Sequence, residues 1–105
     1  MIPTFQITPR AQEDLRNIGR YTLRKWGKKK RDSYLYNLDN RFGWLAKNPK
    51  IGKHRPDIGE GYYCYLQGSH LTYCTIGENC INIIGIPHKV MDILNYFDPN
   101  YTNRE

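Results

Sequence analysis

The fold is decided by a hydrophobic run near the end of the chain, Cys80-Ile81-Asn82-Ile83-Ile84-Gly85-Ile86-Pro87-His88. Isoleucine dominates residues 81–86, so the run predicts a strand that is covered on at least one face and lies in the interior of a sheet. Pro87 has no N–H to donate to a neighbouring strand, and we expect the strand to end there. His88 and Lys89 should therefore lie at the rim of the sheet, on a connecting segment of the kind that often carries function.

Two amphipathic helices are predicted before this run. Thr8 suits the N-cap and Pro9 the first position of a helix that ends near Gly27. Its core-facing stripe consists of Ala11, Leu15, Ile18, Thr22 and Trp26. A second helix is expected over residues 28–46, with a stripe made by Leu35, Leu38, Phe42 and Leu45. The connection between the helices is so short that we expect an antiparallel helical hairpin.

The other strands are expected at residues 5–8, 61–67 and 70–76, with a loop at residues 48–61. Gly68-Ser69 has the length and the leading glycine of a two-residue hairpin turn, which pairs Gln67 with His70. That register places Cys64 and Cys74 on opposite faces of the sheet. The chain is thus predicted to be an α+β protein: an N-terminal strand, then an antiparallel helical hairpin packed on an antiparallel sheet that three C-terminal strands complete.

Length and composition suit a single domain, because the chain has 105 residues of which 39% are hydrophobic. We assign this domain to residues 1–97 and expect residues 98–105 to form a loose tail. The three cysteines show neither paired spacing nor a ligand motif with histidine, so no disulfide, metal site or cofactor is expected. Residues 1–5 carry no basic region, and no stretch approaches the roughly 20 apolar residues of a membrane span. We therefore expect a cytoplasmic protein with no membrane partner.

Positive charge is concentrated in the first half of the chain. Residues 1–55 contain fourteen Lys and Arg against four Asp and Glu, whereas residues 56–105 contain two against six. Six of the cations crowd the predicted tip of the helical hairpin: Arg24, Lys25, Lys28, Lys29, Lys30 and Arg31. A solvated helix tip is the ordinary explanation of such a run, but the asymmetry favours an acidic partner, either nucleic acid or an acidic protein segment.

Five separated signatures resemble one known family. They are Ile7-Thr8-Pro9-x-Ala11-x-x-Asp14-Leu15-x-x-Ile18, Tyr21-Thr22-x-x-x-Trp26-Gly27, Leu45-Ala46-x-Asn48-Pro49-x-x-Gly52, Gly68-Ser69-His70, and His88-x-x-Met91-Asp92 before Phe97. In this order they are similar to the ParE subfamily of the RelE/ParE toxins, and the match covers roughly residues 4–97. The fold that the resemblance implies is again a helical hairpin packed on an antiparallel sheet.

The resemblance implies a toxin of a bacterial type II toxin-antitoxin module, of the kind used in plasmid maintenance. Such a toxin inhibits growth by binding DNA gyrase and trapping its cleaved DNA complex, and a cognate ParD-like antitoxin neutralises it. We therefore expect a protein that acts by binding, without enzymatic chemistry, and that touches DNA at most indirectly. The matching C-terminal motif implies a gyrase contact made by His88, Lys89, Met91, Asp92, Tyr96 and Phe97.

The antitoxin site is predicted from physical requirements. Antitoxin segments of this kind are acidic and amphipathic and become ordered on binding, so they need an apolar groove edged with positive charge. We expect this groove between the helical hairpin and the sheet, in a hetero-oligomer of toxin and antitoxin. Its cationic rim and its exposed aromatic anchors are expected to be Arg16, Arg20, Arg41, Lys47, Tyr63, Tyr65 and Tyr73.

Two other functions remain open. A RelE-like toxin would cleave messenger RNA on the ribosome, with His88 as the candidate acid or base and Tyr96 assisting it. This alternative ranks lower because only Lys89 and Arg104 follow Arg55 as cations that could neutralise a phosphate. A basic nucleic-acid-binding module, in which the hairpin tip grips the DNA backbone directly, is the second alternative.

Overall fold

The structure, a computed structural model, describes residues 4–90. Within them lie β1 (Thr4–Ile7), α1 (Pro9–Trp26), α2 (Lys28–Lys47), β2 (Lys53–His54), β3 (Tyr62–Gln67), β4 (His70–Gly77) and β5 (Cys80–Gly85). Both predicted helices and all four predicted strands are confirmed. The short strand β2 lies inside the stretch predicted as loop, so that expectation is wrong there. The assignment of residues 98–105 to a tail concerns residues outside the described part of the chain.

The five described strands form one sheet in the order β1-β5-β4-β3-β2. β5 is an inner strand, as predicted, because β1 and β4 pair with its two edges. β1 runs parallel to β5 while all the other pairs are antiparallel, so the expectation of a wholly antiparallel sheet is wrong. Six connections join the seven described elements, and each connection reverses the direction of the chain. Because the number of reversals is even, the first element, β1, and the last, β5, run in the same direction.

Local chemistry fixes both ends of α1. The Thr8 side chain accepts a hydrogen bond from the Ala11 N–H at 3.3 Å and donates its own proton to the Ile83 carbonyl at 3.0 Å. The N-cap therefore also ties the helix start to β5. At the other end Gly27 has φ of +96°, a conformation that glycine adopts without steric cost, and α2 begins at the next residue.

The core lies between the helical hairpin and the sheet. Its largest fully buried side chains include Leu38, Phe42, Ile81 and Ile83, and Phe5 of β1 meets Phe42 edge-on with ring centroids 5.6 Å apart. Most of the predicted α1 stripe is buried here or packs against this core, but Trp26 is 61% exposed, so its assignment to the core is wrong. It is the last residue of α1 and stands among the cations of the hairpin tip.

Side chains along β3 and β4 alternate between the face of the sheet that packs on the helices and the opposite face. The predicted register is confirmed, since Gln67 pairs with His70, Cys64 with Tyr73 and Tyr63 with Cys74. Cys64 and Cys74 are both buried and carry free thiols.

Tyr73 is 0% exposed, so its prediction as an exposed anchor is wrong. The reason is that Arg55, held by Asp57 at 2.8 Å, donates from Nη1 to the Tyr73 hydroxyl at 3.3 Å and covers that face. Burial, with the neighbouring Cys64, raises the pKa of Tyr73 to about 12. Neither helix found within residues 4–90 has the length and apolar character needed to cross a bilayer.

Two glycines provide a matched test of the packing. A Cβ on Gly52 would lie 2.7 Å from the Cys64 carbonyl oxygen, whereas a Cβ on Gly43, inside α2, would meet nothing within 4 Å. We predict that Gly52→Ala lowers the free energy of unfolding by about 1–3 kcal/mol, because β2 must move away from β3. Gly43→Ala should raise it by roughly 0.5–1 kcal/mol through helix propensity. Urea unfolding measures both, and equal effects of the two substitutions would contradict the close approach at Gly52.

Candidate functional site

The segment after β5 is fastened to its neighbours by backbone hydrogen bonds. Ile86 donates its N–H to Asp14 Oδ2 at 2.8 Å, the Pro87 carbonyl accepts from Leu71 at 2.9 Å, and Lys89 donates to the Ser69 carbonyl at 2.8 Å. β5 therefore ends at Gly85, slightly before the predicted proline. His88, Lys89 and Val90 are exposed at the rim of the sheet, as predicted for the first two.

A cleft opens beside this rim, between α1, the first half of α2 and the β3–β4 turn. It consists of two adjoining cavities of about 250 Å³ and 450 Å³ that share Tyr21, His70 and His88. We call it the histidine cleft. The larger cavity is lined mainly by rings and polar groups: Tyr21, Thr22, Trp26, Lys30, Tyr34, Ser69, His70 and His88.

Two histidines meet edge to face in the cleft. The His70 and His88 rings have centroids 5.4 Å apart, and their backbones form an antiparallel bridge. Burial of the ring and, to a smaller extent, the nearby His88 lower the pKa of His70 to about 4, against an opposing effect of Asp14. His70 is therefore neutral at pH 7, which allows the two rings to approach without charge repulsion.

Tyr34 of α2 fixes the orientation of His70. Its hydroxyl lies 3.2 Å from the Gln67 carbonyl oxygen and 2.8 Å from Nδ1 of His70. Which of the two accepts the hydroxyl proton depends on the tautomer of His70, and the short contact to Nδ1 holds the imidazole ring in place in either case. Gly68, with φ of +60°, leaves room for Tyr34 at the turn.

Two of the six predicted cations of the hairpin tip, Lys25 and Lys30, lie at the cleft. Lys25 places its Nζ 6.0 Å from the ring centroids of both Tyr21 and Trp26. Lys28 and Arg31 both pair with Asp32, at 3.2 Å and 2.8 Å, and Arg31 contributes most to the lowered pKa of this carboxylate. Lys30 lines the cleft itself. The basic tip therefore adjoins the histidine cleft through Lys25 and Lys30.

The structure distributes the predicted antitoxin residues over several places instead of one groove between hairpin and sheet. Arg16 and Arg20 line a groove of about 510 Å³ between the two helices, which we call the interhelical groove. Its floor and rim are formed by Leu15, Arg16, Gly19, Arg20, Leu23, Arg31, Asp32 and Leu35. Arg16 also pairs with Glu13, and this contact lowers the pKa of the carboxylate. The groove combines an apolar floor with a largely cationic rim.

Arg41, Tyr63 and Tyr65 lie elsewhere, where α2 meets β3. The Arg41 guanidinium stacks over Trp44 at 4.6 Å and over Tyr65 at 5.2 Å, and its Nε donates to the Gln67 side chain at 3.1 Å. Tyr63 stacks on His54 of β2 with ring centroids 4.8 Å apart. Arg41 and both tyrosines are only partly exposed, while Lys47 is exposed in the last turn of α2.

Of the predicted gyrase contacts, the structure places His88 and Lys89 together at the rim. Met91, Asp92, Tyr96 and Phe97 lie outside the described residues, as does the nuclease role predicted for Tyr96. His88 accepts a hydrogen bond at Nδ1 from the Val90 N–H at 3.2 Å, which orients its ring locally.

Sequence reasoning missed His70, Tyr34 and Tyr21 as members of the site. A signal for His70 was present, because the Gly68-Ser69 turn and its register identify the strand face on which His70 lies. The spacing of Trp26 from Thr22 continues the apolar stripe of α1 and so predicts a core position. Helical spacing does not, however, show where the sheet beneath the helix ends.

A protein-family model described as "ParE toxin of type II toxin-antitoxin system, parDE" matches residues 5–93. The chain belongs to the ParE toxin family. Toxin ParE1 of two Mycobacterium tuberculosis strains, CDC 1551 / Oshkosh and H37Rv, is 33% identical over 94 residues, covering 89% of this chain and 96% of each relative. Toxin ParE1 of Caulobacter vibrioides is 26% identical over 88 residues, covering 84% of this chain and 91% of the relative.

The ParE fold is also recognisable in three dimensions. A chain from a structure of the chromosomal ParDE toxin-antitoxin system of P. aeruginosa superposes with a TM-score of 0.71 over 83% of this chain and 96% of that chain. At 17% identity this similarity supports the ParE fold and not the individual residues of the cleft.

The pKa of His70 makes a stability prediction. The folded chain holds the pKa of His70 at about 4, below the ordinary value of 6.5, so the unfolded chain binds more protons between these values. Stability from this residue is complete above pH 6.5 and is lost as the pH falls towards 4. We predict that the urea midpoint of the wild type falls more steeply from pH 7 to pH 4.5 than that of His70→Gln.

His54→Gln is the matched control, since it removes an exposed histidine from β2. This variant should keep the wild-type slope. If His70→Gln also kept that slope, the buried neutral state of His70 would be refuted.

Proposed function

We propose that this ParE-family toxin inhibits DNA gyrase by binding and is neutralised by a cognate ParD-like antitoxin. The observation that carries the proposal is the family match over residues 5–93, which includes the rim after β5. At this rim His88 and Lys89 stand beside Val90, which is 79% exposed. A cation, a polar ring and an apolar side chain presented together suit a protein-docking surface.

Binding without chemistry agrees with the charges of the sheet. The segment from Tyr62 to Gly85, which contains β3, β4 and β5, has no lysine or arginine. Cleavage of a phosphodiester requires positive groups aimed at the charge that develops on the phosphate. His70, with a pKa of about 4, is also a weak base at neutral pH. These features favour a toxin that holds a larger enzyme in an inactive state.

Ribosome-dependent cleavage of messenger RNA is the second candidate, and one observation favours it. The cleft brings His70 and His88 together with Lys30 at its edge, so two imidazole rings and one cation share a recess. In this case the purified chain would cut message on translating ribosomes, and His88→Ala would abolish cutting. The proposal of gyrase binding predicts no cleavage in that reaction.

We propose the interhelical groove as the antitoxin site. Leu23 is exposed there beside Leu35, while Arg16, Arg20 and Arg31 stand at the rim. An acidic amphipathic helix can place its apolar residues on such a floor and its carboxylates against the arginines. This location replaces the groove between hairpin and sheet, because the groove between the helices has both required features in one place.

The gyrase proposal is tested with the double variant His88→Ala/Lys89→Ala. We predict that the wild type inhibits supercoiling and accumulates cleaved DNA with purified gyrase, and that the variant needs roughly tenfold more protein, equivalent to about 1.4 kcal/mol of lost contact. Lys53→Ala/His54→Ala is the matched control, because it removes the same residue types from β2, an edge strand away from the rim. Equal losses in both variants, or no inhibition by the wild type, would argue against the rim.

The antitoxin site is tested by co-expression with the antitoxin from the neighbouring reading frame. We predict that Arg16→Met/Arg20→Met weakens the complex at least tenfold in a titration and reduces rescue of growth, because two charge-assisted contacts are lost. Lys47→Met/Lys50→Met makes the same change of net charge at exposed residues outside the groove and should bind as the wild type does. Equal weakening would mean that net charge alone attracts the antitoxin.

A further inference from the structure

Two large aromatic side chains are exposed at the hairpin tip without any role in the core. Tyr21 is 54% exposed and Trp26 is 61% exposed, and both line the larger cavity of the histidine cleft. Leaving such rings in water forgoes the free energy of burial, about 25 cal/mol per Å² of apolar surface. More than half of the surface of each residue is therefore accessible to a ligand.

The charge beside these rings is larger than the fold requires. Asp32 pairs with Lys28 and Arg31, and within residues 4–90 the other four cations of the tip have no carboxylate partner. Residues 28–31 also occupy the first turn of α2, which contains no acidic residue. Cations are unfavourable there, since the helix dipole places partial positive charge at that end. A basic run that lowers the stability of its own helix is consistent with selection for an anionic ligand.

We propose that the basic tip and the histidine cleft together bind single-stranded nucleic acid, with the phosphates along the tip and one unpaired base in the cleft against Tyr21 and Trp26. Aromatic rings interleaved with cations are the combination that single-strand binding uses, because every base offers a face for stacking and every link carries a charge. The inference does not depend on gyrase as the target.

Three features favour a single strand over a duplex or an acidic peptide. A base inside a duplex is stacked on both sides and cannot enter a recess unless it is extruded. An acidic peptide would satisfy the cations but has no general use for a recess lined by Tyr21, Trp26 and Tyr34. The imidazole rings of His70 and His88, which line the cleft, offer ring nitrogens that can bond with the polar edge of a base.

Fluorescence of Trp26 tests the proposal directly. The chain has two tryptophans, so Trp44→Phe leaves Trp26 as the single reporter. We predict that a 15-nucleotide oligothymidine quenches Trp26 at low salt. The binding constant should fall with salt with a logarithmic slope of roughly −3, as for about four phosphate contacts. The complementary 15-base-pair duplex should bind more weakly and leave Trp26 largely unquenched.

Variants then separate the cleft from general charge, all of them in the Trp44→Phe background. We predict that Tyr21→Ala weakens oligothymidine binding at least fivefold and that Lys30→Gln weakens it and makes the salt slope shallower. The matched controls are Tyr36→Ala, at a tyrosine that is 68% exposed elsewhere on α2, and Lys47→Gln. Both controls should bind as the parent does, and urea unfolding of each variant confirms that it is folded.

Three outcomes would overturn the proposal: no quenching of Trp26 at low salt, equal quenching by single strand and duplex, or equal loss in the control variants. Either of the last two results would mean that the surface binds phosphate groups through its charge without recognising an unpaired base. Because gyrase and antitoxin are absent from this titration, its result is independent of the gyrase and antitoxin experiments.

Discussion

The structure depends on hydrogen bonds that join the start of the chain to β5. Thr8 donates both its N–H, at 3.1 Å, and its hydroxyl, at 3.0 Å, to the carbonyl of Ile83, and Asp14 accepts the N–H of Ile86 at 2.8 Å. These bonds close loops of more than 70 residues, and the core between α1, α2 and β5 must offset the entropic cost of closing them. The same bonds place α1 against the rim and thereby create one wall of the histidine cleft.

The sequence predicts the local elements well because their signals are local. The N-cap at Thr8, the glycine at Gly27 and the turn at Gly68-Ser69 each act within a few residues, and the turn even fixes the register of β3 on β4. The parallel pairing of β1 with β5 has no such signal, since it arises from the arrangement of every element in between. β2 was missed for a related reason: two residues are too few to show a period, and their pairing depends on the close approach of Gly52 to Cys64.

The wrong predictions at the site have the same cause, because contacts between distant parts of the chain leave no local signal in the sequence. Strand alternation correctly puts Tyr63 and Tyr73 on opposite faces, but it does not reveal that Arg55 covers Tyr73. Similarly, the charge of the tip is visible in the sequence, whereas the recess behind it exists only because Tyr34 and His70 meet across 36 positions of the chain. Residue types were predictable from composition and spacing, while the cavity that unites them is a property of the tertiary fold.

α1 separates two of the proposed surfaces, and this geometry constrains how an antitoxin can act. Arg16 and Arg20 face the interhelical groove, while Asp14, Asn17 and Tyr21 face the histidine cleft on another side of the same helix. A helix with its side chains is about 10 Å across. A segment that fills only the groove therefore leaves the rim at His88 open. An extended chain advances about 3.3 Å per residue, so roughly three further residues suffice to cross α1. On the proposed sites, neutralisation at the rim requires that the antitoxin continue past its groove-binding helix, and the acidic helix alone should bind the toxin without silencing it.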